Sequence, residues 1–326
     1  MPVVANKKQT LASKLAEQAG SQMGDGKIPT KYHCHLSVFS EEASHRFPEP
    51  HIWDHAIELK PGVPSLIPGK VYQLTQDKQK ALLEFVQEQH AKGYIRLSKS
   101  PYVAPFFFIK KKDSKLQPVQ DYQCLNEWTI KNHYLLPLIS ELIAHVQNAK
   151  KFMKVDIWWG YNNVCIKKGD KHKATFITNQ GLFEPTVMFF RLTNSPATFQ
   201  MMMNAIFAEE IAEGWLIVYM DDILVATRDD QEFHDQCVHW MLEKLKKHDL
   251  YLKPEKCIFD QKRIEFLGVI LEGGTVQMDP AKVKGIADWP PPKNIMDICS
   301  FLGFTGFYCY FIPNYSLITC PMIQLM

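Results

Sequence analysis

Residues 215–227 read Trp-Leu-Ile-Val-Tyr-Met-Asp-Asp-Ile-Leu-Val-Ala-Thr. Leu216 to Met220 is a run of strand formers, and Ile223 to Val225 repeats it. Two such runs joined by two turn-prone residues predict a β-hairpin with Asp221 and Asp222 at its tip. Adjacent carboxylates repel each other and lose hydration unless a cation lies between them. Hard divalent cations take such oxygen ligands. A lone Asp-Asp pair would more often be a solvated turn, because Asp favours turns. The rest of the chain therefore decides.

A third acid precedes the pair. Phe152 to Val155 predicts a short strand that delivers Asp156, and Ile157-Trp158-Trp159-Gly160-Tyr161 follows at once. Two bridging metal ions need such a set of three carboxylates.

The chain has 326 residues, of which 46% are apolar, so two or three domains and a large core are within reach. A net charge of +2 gives no global pull toward nucleic acid, and any basic surface is local. The eight cysteines show no C-x-x-C spacing and no signal peptide precedes them, which predicts reduced thiols in an intracellular protein. His33-Cys34-His35 has no second ligand pair at finger spacing, so no metal is expected there. No apolar run reaches the roughly 18 residues that would span a bilayer.

Residues 1–65 read as an extended connector without chemistry, with proline-rich stretches at 47–50 and 61–68. A helix is predicted over 76–91, with Thr75 as N-cap, Gly93 beyond the end, and Ala81, Leu82, Leu83, Phe85 and Val86 as its apolar face. Tyr102 to Ile109 and Leu116 to Tyr122 read as a hairpin with Lys110-Lys111-Lys112 at its tip. That tip is either a solvated turn or a phosphate contact. Strands are expected at 174–178 and 184–190. A helix follows from Ser195 (N-cap) and Pro196 to Glu213, with Phe199, Met203, Ile206, Phe207 and Ile211 in the core. Further helices are expected at 231–248, 280–289 and 297–311. A strand at 264–271 contains Gly268, read as a point of close backbone approach. The chain stops at Met326 without a polar tail, which reads as truncation.

Helix, basic hairpin, Asp strand, Ser-Pro helix, Asp-Asp hairpin and Phe-Leu-Gly strand, in that order, resemble a reverse transcriptase. More narrowly, the chain resembles the polymerase segment of a gypsy-type LTR retrotransposon polyprotein of fungal kind. The resemblance rests on Trp53-Asp54-His55-Ala56-Ile57, Ser98-Lys99-Ser100-Pro101-Tyr102, Pro118-Val119-Gln120-Asp121-Tyr122, Gly160-Tyr161-Asn162-Asn163, Leu192 to Gln200, Tyr219-Met220-Asp221-Asp222 and Ile312-Pro313-Asn314-Tyr315. It implies an α+β right-hand polymerase: the connector over 1–65, fingers and palm over 66–271, and a thumb-like helical segment over 272–326. It implies RNA-directed DNA synthesis on a primed RNA or DNA template from deoxynucleoside triphosphates, in a cytoplasmic particle or the nucleus, with no membrane partner. Asp156, Asp221 and Asp222 resemble the catalytic triad that holds two Mg2+ ions, or Mn2+ in their place. Those ions would activate the primer 3′ hydroxyl and neutralise the departing pyrophosphate. Lys111, Gln117, Ile157, Tyr161 and Met220 match nucleotide-binding positions: Lys111 toward the γ-phosphate, Tyr161 as the gate against a 2′ hydroxyl, Met220 beside the primer end. Phe266, Leu267 and Gly268, with Glu265, resemble the primer grip.

The chain also departs from that pattern. The family usually has arginine where this chain has Gln117, and often at Gln123, Trp158, Gln180, Cys299 and Cys309. It has glycine where this chain has Arg191. A glycine there permits a left-handed backbone, and arginine is expected to clash. Each change is reachable by one C-to-T or G-to-A transition, as cytosine deamination would produce. The alternative implied is a decayed, catalytically weak copy that retains only nucleic-acid binding.

Overall fold

The computed structural model describes residues 27–110, 116–134 and 136–326. The first described element is a 3₁₀ segment, Thr30–Phe39, followed by α1 (Glu41–Ser44). Residues 30–44 are thus helical rather than extended. Tyr32, His35 and Val38 recur every three residues, the period of a 3₁₀ helix, so all three fall on one buried face.

α2 (Gln76–Ala91) has the expected bounds and ends at Gly93, whose φ is +72°. Leu82, Val86 and Gln89 form its buried line. Leu83, expected on that face, points to solvent, because it lies one residue off the i, i+4, i+7 stripe. The Thr75 side chain makes no capping bond.

The strands β1 (Ile95–Leu97), β2 (Ala104–Lys110) and β3 (Leu116–Gln120) come next, then α3 (Gln123–Trp128), α4 (Ile139–His145) and β4 (Lys151–Asp156). After them come β5 (Phe176–Thr178), β6 (Gly181–Pro185), α5 (Ser195–Ile206) and α6 (Ala208–Ala212). The strand expected over 184–190 begins earlier. Asn179-Gln180 is a two-residue turn that pairs Thr178 with Gly181, and Pro185, which lacks an N–H, ends the ladder. Fully buried Phe207 leaves helical angles (φ −108°, ψ 27°) and divides the expected long helix into α5 and α6. Ser195 is already the first helical residue. The Asn194 side chain before it binds away from the helix, donating to the Ile130 carbonyl at 2.9 Å and accepting from the Asn132 N–H at 3.0 Å.

β7 (Leu216–Tyr219), β8 (Asp222–Thr227), α7 (Gln231–Lys247), β9 (Ile258–Gln261), β10 (Arg263–Phe266), β11 (Val269–Glu272) and β12 (Thr275–Met278) follow. The chain closes with α8 (Pro280–Ala287), α9 (Ile295–Gly306) and α10 (Tyr315–Ile323). The single strand expected over 264–271 is two strands. Leu267 (φ +48°) and Gly268 (φ +82°) form the turn between them, both in the left-handed region that a tight hairpin needs.

Three sheets result. The first has the order β1-β6-β5-β2-β3, with β2 and β5 parallel. The second, β7-β8-β4-β9, is antiparallel throughout. The third is β10-β11-β12. The second sheet is covered on both faces, which explains its almost unbroken apolar text. Met153, Val155, Leu216, Val218, Ile223 and Val225 face one core with α5 and α7, while Phe152, Ile217, Leu224 and Ala226 face the other with the β10-β11 hairpin. Side chains alternate across a strand, so one hairpin serves both cores and leaves only its tip for chemistry. Tyr32, Val38 and Phe39 complete the first of these cores.

Candidate active site

Asp156 ends β4 and Asp222 begins β8, and the two stand directly opposite one another in the antiparallel ladder. The hairpin tip is therefore Met220-Asp221, since Asp222 already pairs with Tyr219. Met220 has φ +54°. The expected Asp-Asp turn moves back by one residue, because pairing Asp222 adds a rung to the ladder and leaves two residues to close it.

Gln200 holds this tip. Its side chain is fully buried, and its Oε1 accepts from the Met220 N–H at 2.7 Å. Its Nε2 donates to the Val218 carbonyl at 3.0 Å and to Asn204 Oδ1 at 2.8 Å. The positive φ at Met220 is thus fixed from α5.

The carboxyl group of Asp221 is raised above its ordinary range, first by lost solvation and then by the negative charges of Asp222 and Asp156. The residue as a whole is exposed at the tip, so solvent screens much of that repulsion. Two lysines answer the other acids. Lys256 Nζ is 2.8 Å from Asp156 Oδ2, and Lys154 Nζ is 3.1 Å from Asp222 Oδ1. Neither was singled out in the sequence. Lys154 carried a signal: it lies two residues before Asp156, hence on the same strand face. Lys256 lies 100 residues from its partner and carried none. Gln200 ends the motif over 192–200, and nothing in its local sequence points to this role.

Tyr161 lies in a 3₁₀ turn, Gly160–Asn163, directly after the β4 strand and its Trp158-Trp159 pair. Its ring meets Phe190 edge-on at 5.2 Å and Phe199 at 5.6 Å, and its hydroxyl donates to Met220 Sδ at 3.6 Å. Burial and then the Asp221 charge push its hydroxyl up to about 12. The structure therefore brings Tyr161, Met220 and Asp221 together. The Ile157 side chain is buried, which leaves its backbone as the part able to meet a ligand.

Gln117 lines a cavity of about 400 Å³ with Phe85, Trp159, Phe190 and Arg191, and that cavity adjoins Tyr161 through Phe190. Arg191 has φ +74°, the left-handed geometry expected of a glycine. The expected clash is absent, because its side chain is exposed. Lys111 lies outside the described residues. Phe266 is buried beneath Lys154, whose ammonium is 5.9 Å from the ring centre. Leu267 and Gly268 turn toward the C-terminal helices, where the Tyr308 hydroxyl donates to the Gly268 carbonyl at 3.4 Å.

Paired acids at one end of a doubly covered antiparallel sheet, flanked by a mixed sheet and C-terminal helices, define an α+β polymerase fold. The chain belongs to the reverse transcriptase (RNA-dependent DNA polymerase) family, whose sequence model matches residues 109–271, half of the chain. The Tf2-3 and Tf2-7 transposon polyproteins of Schizosaccharomyces pombe are each 33% identical to it over 260 residues. That match takes in 80% of this chain but 19% of those polyproteins, so the chain spans about a fifth of their length. Among solved structures, a foamy viral protease-reverse transcriptase with double-stranded DNA superposes over 97% of this chain and 55% of its own, with a TM-score of 0.78 at 17% identity. A foamy viral protease-reverse transcriptase with an RNA/DNA hybrid covers 97% of this chain and 42% of its own, with a TM-score of 0.72 at 17% identity. At these identities the likeness is one of fold.

Proposed function

We propose that this chain is the polymerase segment of a gypsy-type LTR retrotransposon polyprotein of fungal kind, and that it extends a primer with deoxynucleotides on an RNA or DNA template. The observation that carries this reading is the pairing of Asp156 with Asp222, with Asp221 beside them at the hairpin tip. The transposon polyproteins it resembles support the element class. On this reading residues 66–271 are fingers and palm, 272–326 a thumb-like segment, and 1–65 precede them. The reaction takes place inside the cell, in a particle or the nucleus.

The acids fit divalent cations. Asp156 and Asp222 face each other at one sheet end with Asp221 next in the chain, burial first and then the charges of the other two raise the Asp221 carboxyl, and Asp156 and Asp222 each hold an ammonium group. Asp156, Asp221 and Asp222 would hold Mg2+, which supplies Lewis-acid activation and charge neutralisation when bound. The rest of the work falls to the chain. Gln200 fixes the tip that carries Asp221. Tyr161, braced by Phe190 and Phe199, excludes bulk at the sugar. Met220 borders the primer end. Gln117, on the cavity wall, and Lys111, by family resemblance alone, are assigned to the triphosphate, while Phe266, Leu267 and Gly268 support the primer.

Extension of a labelled primer on an RNA template with magnesium tests this. Extension that disappears in Asp222→Asn supports the reading, and a folded chain that extends nothing, with or without the substitutions at 117 and 191 discussed below, overturns it. A second reading, a weakened copy, is favoured by one observation: Arg191 occupies a left-handed backbone position.

A further inference from the structure

The 3₁₀ segment Thr30–Phe39 lies along α7 and brings Cys34 and His35 against His239, about two hundred residues away in sequence. The three ligand atoms all lie within 4.8 Å of one another. His35 Nε2 is 2.8 Å from His239 Nδ1, and Cys34 Sγ is 4.0 Å from that same nitrogen. His33, the first residue of the triplet, turns away to the Ile28 carbonyl at 3.1 Å.

We propose that Cys34, His35 and His239 bind one zinc ion, with Glu243 or water in the fourth position. Two imidazoles and a thiolate are a borderline-soft set, which suits zinc and not the magnesium preferred by an all-oxygen site. Tetrahedral bonds of ~2.0–2.1 Å to nitrogen and ~2.3 Å to sulfur set edges of ~3.3 Å between nitrogens and ~3.6 Å between nitrogen and sulfur. The two rings must therefore part by ~0.5 Å, and the thiol must close by ~0.4 Å on His239 and by up to ~1.2 Å on His35, which rotation of the exposed Cys34 side chain achieves. Glu243 is one helical turn beyond His239 and near enough to His35 to act on its charge, with Lys246 opposing it. Cys34 binds as the thiolate and gives its proton to solvent.

The surroundings hold these groups in place. Lys31 bridges Asp235 of α7 and Asp260 at 2.6 and 2.8 Å, and the Tyr32 hydroxyl donates to the same two carboxylates. The Tyr32 ring meets His239 edge-on at 5.4 Å. A metal here would brace the N-terminal segment against the helix that backs the acidic sheet. Without it, the pair of rings is an ordinary histidine–histidine hydrogen bond.

The test is a cobalt(II) titration of the purified, metal-stripped full chain under reducing conditions, followed by displacement with zinc. The expected result is one equivalent bound in tetrahedral geometry with a thiolate-to-cobalt charge-transfer band. That band should vanish in Cys34→Ser, and zinc affinity should fall at least about a hundredfold in His239→Asn, more than the loss of an outer-shell partner costs. A full-strength band in Cys34→Ser, no band in the native chain, or unchanged zinc affinity in a folded His239→Asn chain would each overturn the proposal. Should His239→Asn fail to fold, Cys34→Ser, at an exposed position, decides by itself.

Discussion

Asp156 and Asp222 face each other across adjacent strands, and each is held by its own lysine, Lys256 at 2.8 Å and Lys154 at 3.1 Å. Two acids this close cannot share a strand end without counter-charge. Lys154 and Lys256 supply it. Such half-exposed pairs are each worth ~0–1 kcal/mol, so they yield readily to an ion that binds all three carboxylates. Asp156→Asn or Asp222→Asn should reduce primer extension by ~10²–10³-fold or more, on the scale of losing one preorganised electrostatic group. Thermal stability should change little. Extension within tenfold of the native chain would remove these residues from the chemistry.

The raised carboxyl of Asp221 has a pH signature. Its folded pKa lies above its unfolded value, through lost solvation first and then Asp222 and Asp156. Its contribution to stability is therefore complete below the unfolded pKa, ~3.9 for Asp, and is lost as pH rises through the folded value. Thermal midpoints of the chain in chelator should fall across that window, and Asp221→Asn should flatten the fall. Magnesium should oppose it in the native chain only. Parallel pH curves for the two chains would contradict this account.

How much of this was legible follows period and distance. The hairpin at 216–227 was readable because two apolar runs flank two turn residues, and α2 because Leu82 and Val86 recur at helical spacing before Gly93, although Thr75 does not cap it and Leu83 is exposed. The turn at Leu267-Gly268 was not, since the sequence around it is apolar on both sides and the positive φ of Leu267, beside that of Gly268, is what reverses the chain. Helix 195–213 breaks at Phe207, where burial of a large ring overrides helical continuity. The N-terminal segment reads as a connector because its three-residue period is too short-lived to register beside a 3.6 pattern. Pairings such as Lys256 with Asp156 are set by the folded sheet and have no local signal.

Gln200 gives a prediction about geometry in place of charge. It satisfies the Met220 N–H and the Val218 carbonyl from a fully buried position. Gln200→Leu keeps the volume and leaves both groups without a partner, each costing ~1–3 kcal/mol. The thermal midpoint should fall, and extension should fall further than the loss of folded chain explains, because Met220 loses the bond that holds its positive φ. Gln200→Glu keeps the acceptor but loses the donor, and it buries a charge, so it should fare no better. Native-like extension by a folded Gln200→Leu chain would show that the tip holds itself.

Tyr161 is braced on two sides by Phe190 and Phe199, with its hydroxyl on Met220. If its ring excludes a 2′ hydroxyl by volume, Tyr161→Ala should incorporate ribonucleotides and Tyr161→Phe should not. Comparing incorporation of matched ribo- and deoxynucleotides checks this. Equal sugar discrimination in the native and Tyr161→Ala chains would take the gate away from Tyr161.

Gln117 and Arg191 line the same cavity but weaken the chain in different ways. A glutamine amide in place of a guanidinium loses a charge-assisted bond worth ~1.5–3 kcal/mol and keeps one of ~0.5–1.5. The difference of ~1–2 kcal/mol corresponds to ~5–30-fold in rate if it is expressed in the transition state. Arg191 costs backbone strain, ~1–2 kcal/mol for a left-handed residue with a side chain. Glycine relieves that but is harder to order by ~0.5–1 kcal/mol, so Arg191→Gly should stabilise by ~0–1.5 kcal/mol. The Arg191 side chain is exposed, so no steric clash adds to that strain. Gln117→Arg should therefore supply most of the gain in primer extension, and Arg191→Gly should show itself mainly in the thermal midpoint. Both single variants and the double, assayed on one RNA template, separate the two effects. Should Arg191→Gly alone restore the larger share of extension, the backbone at 191 shapes the nucleotide site more than the charge at 117 does.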